Sequence, residues 1–249
     1  MTIEERGGRD KFWNRVMFPI MDVNNRVIGF GGRVMGDGEP KYLNSPETKL
    51  FDKSRNLYGL NYARTTREKY MLVCEGYLDV ISMHQAGFTN AVASLGTAFT
   101  SQHAGVLKRY TDQVILTYDS DGAGIKAALR AIPILRDAGI SARVLNMKPY
   151  KDPDEFIKNM GADAFKERIA QAKNSFLFEI DVLKRNYQLE DPEQKTKFYQ
   201  ETAKKLLQFG EPLERDNYIQ AVSREQMNQR RGASPAGKPS GNADGLKSR

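Results

Sequence analysis

Cysteine and histidine are nearly missing from this sequence. A single Cys74 allows no disulfide within the chain, and with only His84 and His103 beside it no cysteine-rich zinc site can be assembled. Neither histidine has neighbours that suggest a role, and Cys74 sits in an apolar run where a thiol is inert. No run approaches the roughly 20 apolar residues that a bilayer span requires, and Met1–Asp10 is polar and charged, without the apolar stretch of a secretion signal. A soluble, cytoplasmic protein without zinc and without a membrane is therefore expected. What remains for chemistry is carboxylates, basic residues, hydroxyls and backbone.

The 249 residues carry 38 Lys and Arg against 31 Asp and Glu, a formal charge of +7. Its distribution matters more than its size. Residues 1–69 are net +4, 70–155 net −1, 156–228 neutral, and 229–249 net +4. The last stretch is rich in Gly, Ser, Pro and Lys, has one Leu, and is expected to be disordered. The excess charge of the folded part thus lies in the first segment, beside an acidic second one.

These segments differ in pattern as well. In the first, Val16–Ile20 and Val27–Val34 predict two strands of a hairpin around the turn residues 22–25, Gly31-Gly32 permits either a close approach or a bend, and 40–48 is polar and turn-rich. The second alternates short apolar strands (70–74, 90–95, 113–118, 142–146) with helical spacing (78–85, 101–109, 123–138), which predicts βαβ units and a parallel sheet. Five helices are predicted from 153 to 227. The expected fold class is α/β, with a β-rich basic subdomain over 1–69, a parallel-sheet domain flanked by helices over 70–155, a helical subdomain over 156–228 and a tail over 229–249.

Parallel sheets bind ligands at the carboxyl ends of their strands, and acids are gathered there. Glu75 directly follows the first parallel strand; Asp119 and Asp121 follow the third. Each motif alone is ordinary turn chemistry. Together they place repelling carboxylates on one sheet edge, where a hard cation such as Mg²⁺ or Mn²⁺ is expected to neutralise them. Asp79 lies one helical turn beyond Glu75, and Asp152 and Asp154 open the next helix, either as further ligands or as N-terminal helix charges.

Val73-Cys74-Glu75-Gly76-Tyr77-Leu78-Asp79-Val80, Ser94-Leu95-Gly96-Thr97-Ala98, Tyr118-Asp119-Ser120-Asp121-Gly122-Ala123-Gly124 and Lys151-Asp152-Pro153-Asp154-Glu155 together resemble the TOPRIM catalytic core. Upstream, Arg15-Val16-Met17-Phe18-Pro19-Ile20, Ile28-Gly29-Phe30-Gly31-Gly32-Arg33, Pro40–Thr48 and Leu57-Tyr58-Gly59-Leu60 resemble the RNA-polymerase core of bacterial DnaG-class DNA primases. The resemblance spans roughly Trp13 to Met227.

It implies synthesis of RNA primers on a single-stranded DNA template from ribonucleoside triphosphates, with Mg²⁺ or Mn²⁺. Glu75, Asp119 and Asp121 would be catalytic and metal-binding, with Asp79, Asp152 and Asp154 near the metal, and Arg33, Lys41, Lys53 and Asn44 would line a nucleotide and template groove. Arg15 belongs with the same basic strip, and Tyr42 and Tyr77 are stacking candidates or plain core and rim residues. Family members carry a zinc ribbon, a larger upstream core and a domain that binds the replicative helicase. None is expected in this chain, which reads as a truncated core. The alternatives are a nucleotide- or single-strand-binding module without polymerase activity, and a TOPRIM nuclease or topoisomerase relative.

Overall fold

The computed structural model describes residues 10–232, and the side chains up to residue 227. The expected disorder of the tail therefore concerns residues that lie largely outside this description, as does the polar N-terminal stretch. The elements run in the order β1 (Arg15–Met21), β2 (Val27–Val34), β3 (Tyr42–Asn44), α1 (Leu60–Ala63), β4 (Met71–Cys74), α2 (Tyr77–Gln85), β5 (Ala91–Ala93), α3 (Ser101–Leu107), β6 (Gln113–Leu116), α4 (Gly122–Asp137), β7 (Ser141–Val144), α5 (Pro153–Ala170), β8 (Lys173–Asn174), α6 (Ser175–Lys184), α7 (Pro192–Leu206) and α8 (Pro212–Gly232). They fall into two compact units, the first running to Phe178 and the second beginning at Glu179.

The first unit holds both sheets. One has the order β5-β4-β6-β7-β8, with β4 parallel to β5 and β6, β6 parallel to β7, and the two-residue β8 antiparallel at the edge. Alternation along β4 and β6 divides the core in two. Met71, Val73, Val114 and Leu116 face Leu107 of α3 and Ala128, Ile132 and Leu135 of α4. Leu72, Cys74 and Ile115 face Val80 and Met83 of α2 and Phe156, Phe165 and Ile169 of α5. A sheet covered on both faces needs apolar residues at successive positions, which is why β4 reads as the unbroken run MLVC.

The β1–β2 hairpin is formed as the sequence predicts, with Phe18 opposite Gly31 and Ile20 opposite Gly29. Its third strand, β3, lies in the stretch that reads as polar and turn-rich; at three residues it is too short for periodicity to mark. Gly31 is a site of close approach: a Cβ there would lie 3.0 Å from Asn44 Oδ1 and 3.1 Å from the Tyr77 ring. Through this contact and the cluster of Ile20, Phe51, Tyr77 and Leu95, the small sheet packs onto α2 and the β5 end of the large sheet.

The helix pair predicted at 153–159 and 162–171 is present within α5, whose two helical stretches are separated at Gly161 by non-helical backbone at φ 83° and ψ 168°. In the second unit, Ile180, Phe198, Phe209 and Val222 are buried. Lys205 Nζ donates to the buried Glu179 carboxylate at 2.6 Å, and the Phe209 and Tyr218 rings stack at 4.0 Å.

Candidate active site

The chain leaves β4, passes through α2 into β5 on one side, and then crosses to β6 on the other side of β4. The point where the strand order reverses lies between β4 and β6, and a crevice opens beyond their carboxyl ends. Glu75 and Asp119 follow these two strands, and the backbone N–H of Asp119 donates to Glu75 Oε1 at 3.1 Å. Two acids 44 positions apart are thus side by side because their strands are neighbours.

A cleft of about 760 Å³ begins here. Glu75, Asp79, Asp119, Asp152 and Asp154 line one wall; Arg33, Lys41, Tyr42 and Asn44 line the other. Asp121 does not line the cleft: it is the N-cap of α4, its Oδ1 accepting from the N–H groups of Ala123 and Gly124 at 2.9 and 2.8 Å, and only its charge is felt at Glu75 and Asp119. Asp152 caps α5 in the same way, its Oδ1 accepting from Glu155 N–H at 2.8 Å.

Electrostatics sorts the acids. Burial pushes Glu75 above the ordinary carboxylate range, and repulsion from Asp119 adds to it. Burial raises Asp119 despite the attraction of Lys151. Asp79 is pushed up to about 7, chiefly by burial and further by Asp119, Asp152 and Glu75, against one hydrogen bond from Gly76 N–H at 3.1 Å. Asp154 goes the other way: burial pulls it up, but bonds from Lys158 and Ser82 outweigh this and hold it low. Lys158 Nζ lies 2.5 Å from Asp154 Oδ2, and the Ser82 hydroxyl donates to Oδ1. Both oxygens of Asp154 are therefore engaged, one in a tie to Ser82 of α2 and the other with Lys158 one turn along α5.

Glu75, Asp79 and Asp119 carry raised affinity for protons because burial, and then repulsion among the acids, penalises their charged forms, and such a set suits a hard divalent cation. Among the described residues, however, no three His, Cys, Asp or Glu side chains are drawn together tightly enough to form a ready-made metal cage. The donor chemistry fits an ion that keeps waters and shares itself between a few carboxylates and substrate phosphates, as Mg²⁺ does.

On the opposite wall, Arg33 Nη1 donates to the Tyr42 hydroxyl at 3.0 Å, its guanidinium carbon lies 5.5 Å from the Tyr42 ring centre, and Lys41 Nζ lies 6.0 Å from it. Tyr42 stands edge-on to Tyr77 at 5.6 Å. Of the two tyrosines, Tyr42 is 43% exposed and offers a ring to the cleft, whereas Tyr77, at 5%, is the floor beneath it. Arg15 and Lys53 are not brought to the cleft. Arg15 lies along β1 and reaches the Gly32 carbonyl at 3.4 Å; the backbone of Lys53 is held by Glu47 at 3.0 Å and lies 2.8 Å from His103 Nε2.

The residues that sequence reasoning missed are Leu78, Ile81, Ser82 and Gln85, together with Lys151 and Lys158. The first four recur at i, i+3, i+4 and i+7 on α2, a face legible as a stripe once the acids are placed. The lysines carry no such signal.

Three family models match the chain: the N-terminal domain of the DNA primase catalytic core over 2–64, a Toprim-like domain over 72–157, and the DnaB-helicase binding domain of primase over 176–225. The last overturns the expectation that the helicase-binding segment is absent. Residues 176–225 show only apolar positions at helical spacing, a pattern shared by any packed helices, so sequence reasoning had no signal to separate such a segment from generic bundle. A DNA primase of Clostridium acetobutylicum is 44% identical over 215 residues, covering 86% of this chain and 36% of that protein. The chain spans about a third of the length of the curated relatives it matches. Among solved structures, the Escherichia coli primase catalytic core superposes with a TM-score of 0.75 at 38% identity, over 89% of this chain and 73% of that one. A DnaG primase catalytic domain bound to single-stranded DNA gives 0.76 at 38%, over 89% and 74%.

Proposed function

This chain belongs to the bacterial DnaG-class DNA primases, a family of DNA-directed RNA polymerases acting in DNA replication, and from that premise we propose that its cleft performs metal-dependent nucleotidyl transfer, extending an RNA primer on a single-stranded DNA template with ribonucleoside triphosphates. The observation that carries this reading is the pairing of an acidic wall with an Arg–Tyr–Lys wall across one cleft.

Arg33 and Lys41 attract the triphosphate and offset charge on its oxygens, while the Tyr42 ring supports a base or sugar. Glu75, Asp79 and Asp119, with Asp121 and Asp152 beside them, would hold Mg²⁺ or Mn²⁺. When bound, such an ion lowers the pKa of the attacking hydroxyl and neutralises the leaving pyrophosphate. Asp154 supports this wall by fastening α2 to α5. Residues 176–225 are the segment through which the replicative helicase is engaged.

The test is extension of an annealed RNA primer by the full chain with Mg²⁺ and Mn²⁺ compared. Asp119→Ala and Asp121→Asn, the latter keeping the N-cap oxygen of α4, are each expected to lower the rate by at least about a hundredfold with the melting curve retained. Unchanged rates in both would remove the assigned site, and metal-dependent nucleotide binding without extension would make the chain a binding module instead.

A further inference from the structure

Two lysines, Lys151 and Lys158, stand among the acids of the cleft. Lys151 Nζ lies 3.5 Å from Asp119 Oδ2, and its side chain is 63% exposed while that of Asp119 is 19% exposed. Its backbone is pinned on both sides: Lys151 N–H donates to Glu155 Oε2 at 2.7 Å, and its carbonyl accepts from Ser120 N–H at 2.8 Å. The Cα is thereby fixed to the loop that carries Asp119 and Asp121, while a flexible four-carbon stem leaves the ammonium able to swing. Lys158 provides the contrast. It bonds Asp154 at 2.5 Å, and the second oxygen of that acid is taken by Ser82, so this pair is closed. The Lys151–Asp119 pair is longer and open to the cleft.

A single positive charge cannot balance Glu75, Asp79 and Asp119 together, but it lessens their repulsion while no other cation is present. We propose that Lys151 is a tethered stand-in for the divalent ion: it covers Asp119 in the metal-free protein, is displaced when the ion binds, and then turns to the triphosphate. This rests on the metal-site reading given above. Lys151 is a positioning residue here, setting how tightly the ion is held and adding a cation to the phosphate path only once the ion has arrived.

The experiment is titration of the full chain with Mn²⁺, followed by electron paramagnetic resonance of the free ion, for the wild type, Lys151→Met, Lys151→Arg and Asp119→Asn. Removing the competing charge is expected to tighten Mn²⁺ binding roughly three- to tenfold in Lys151→Met, and Lys151→Arg is expected to restore affinity to near the wild-type value, which a merely structural disturbance would not do. In a second titration with Ca²⁺ saturating, inorganic tripolyphosphate is expected to bind Lys151→Met more weakly than the wild type by a similar factor. Unchanged or weaker Mn²⁺ binding in Lys151→Met overturns the stand-in role, and unchanged tripolyphosphate binding overturns the turn to phosphate. Asp119→Asn separates the two levels: if it binds Mn²⁺ as well as the wild type does, or if the wild type binds none, the metal-site reading itself fails.

Discussion

Glu75 accepts the backbone N–H of Asp119 at 3.1 Å, so a carboxylate at the end of β4 ties down the loop that follows β6. Gly124 closes the same corner. A Cβ built there would fall 2.1 Å from the Asp119 carbonyl oxygen and 2.8 Å from Glu75 Oε1.

Gly124→Ala is therefore expected to be costly out of proportion to one methyl group. The atom it meets first is backbone, which cannot step aside without moving Asp119. A loss of about 2–3 kcal/mol is expected, read as a lower midpoint in urea unfolding. Ala at the exposed Gly122, where a Cβ meets nothing within 4 Å, serves as the control and should be near neutral.

Asp79 gives a pH dependence whose sign can be worked out. Its carboxyl rises from an ordinary 3.8 to about 7 on folding, chiefly through burial. Its contribution to stability is then full below about pH 3.8, falls as pH rises while only the unfolded chain ionises, and is exhausted above about pH 7. Without divalent metal, Asp79→Asn should raise the melting temperature at pH 8 and change it little near pH 4, a gain of about 1–2 kcal/mol once solvent screening at this half-buried site is allowed for. With saturating Mn²⁺ the gain should shrink or reverse. An equal shift at both pH values would show that the substitution acts through packing instead.

Tyr42 and Tyr77 should separate binding from folding. Tyr42→Ala removes the presented ring and the hydroxyl that accepts from Arg33. It should weaken single-stranded DNA or nucleotide binding by about 1–3 kcal/mol, measured by fluorescence anisotropy, with little change in melting. Tyr77→Ala removes a ring packed by Phe18, Tyr42 and Tyr58 at 4.9–5.6 Å. It should cost about 3 kcal/mol of stability.

Asp154→Ala should behave as loss of a tie rather than loss of a ligand. It removes the Ser82 bond between α2 and α5 and the Lys158 pair within α5, and about 1–2 kcal/mol of stability is expected to go with it. Mn²⁺ affinity should change less than twofold, whereas Asp119→Asn should lower it at least tenfold. A Mn²⁺ loss in Asp154→Ala equal to that in Asp119→Asn would return Asp154 to the ligand set.

Much of this was present in the one-dimensional pattern. The alternation of apolar runs with helical spacing determined the parallel sheet, because a strand buried on both faces must be apolar at successive positions and the covering helices must carry a stripe. The acids after β4 and β6 and at the start of α5 were legible through their joint occurrence in order, although Asp121 and Asp152 also cap helices and Asp154 forms a tie. Strand order was another matter. Nothing in the run from 70 to 118 states that β6 lies beside β4 rather than beyond β5, yet that adjacency sets Glu75 against Asp119. Likewise the β1–β2–β3 sheet had to close onto α2 before Tyr42 could be told from Tyr77 and before Arg33 and Lys41 faced the acids while Arg15 and Lys53 did not. Periodicity records only which side of an element is buried. Which surfaces then meet is decided by packing between residues far apart in the chain, and this is why the tie of Asp154 to Ser82 and the placement of Lys151 on Asp119 appear only in three dimensions.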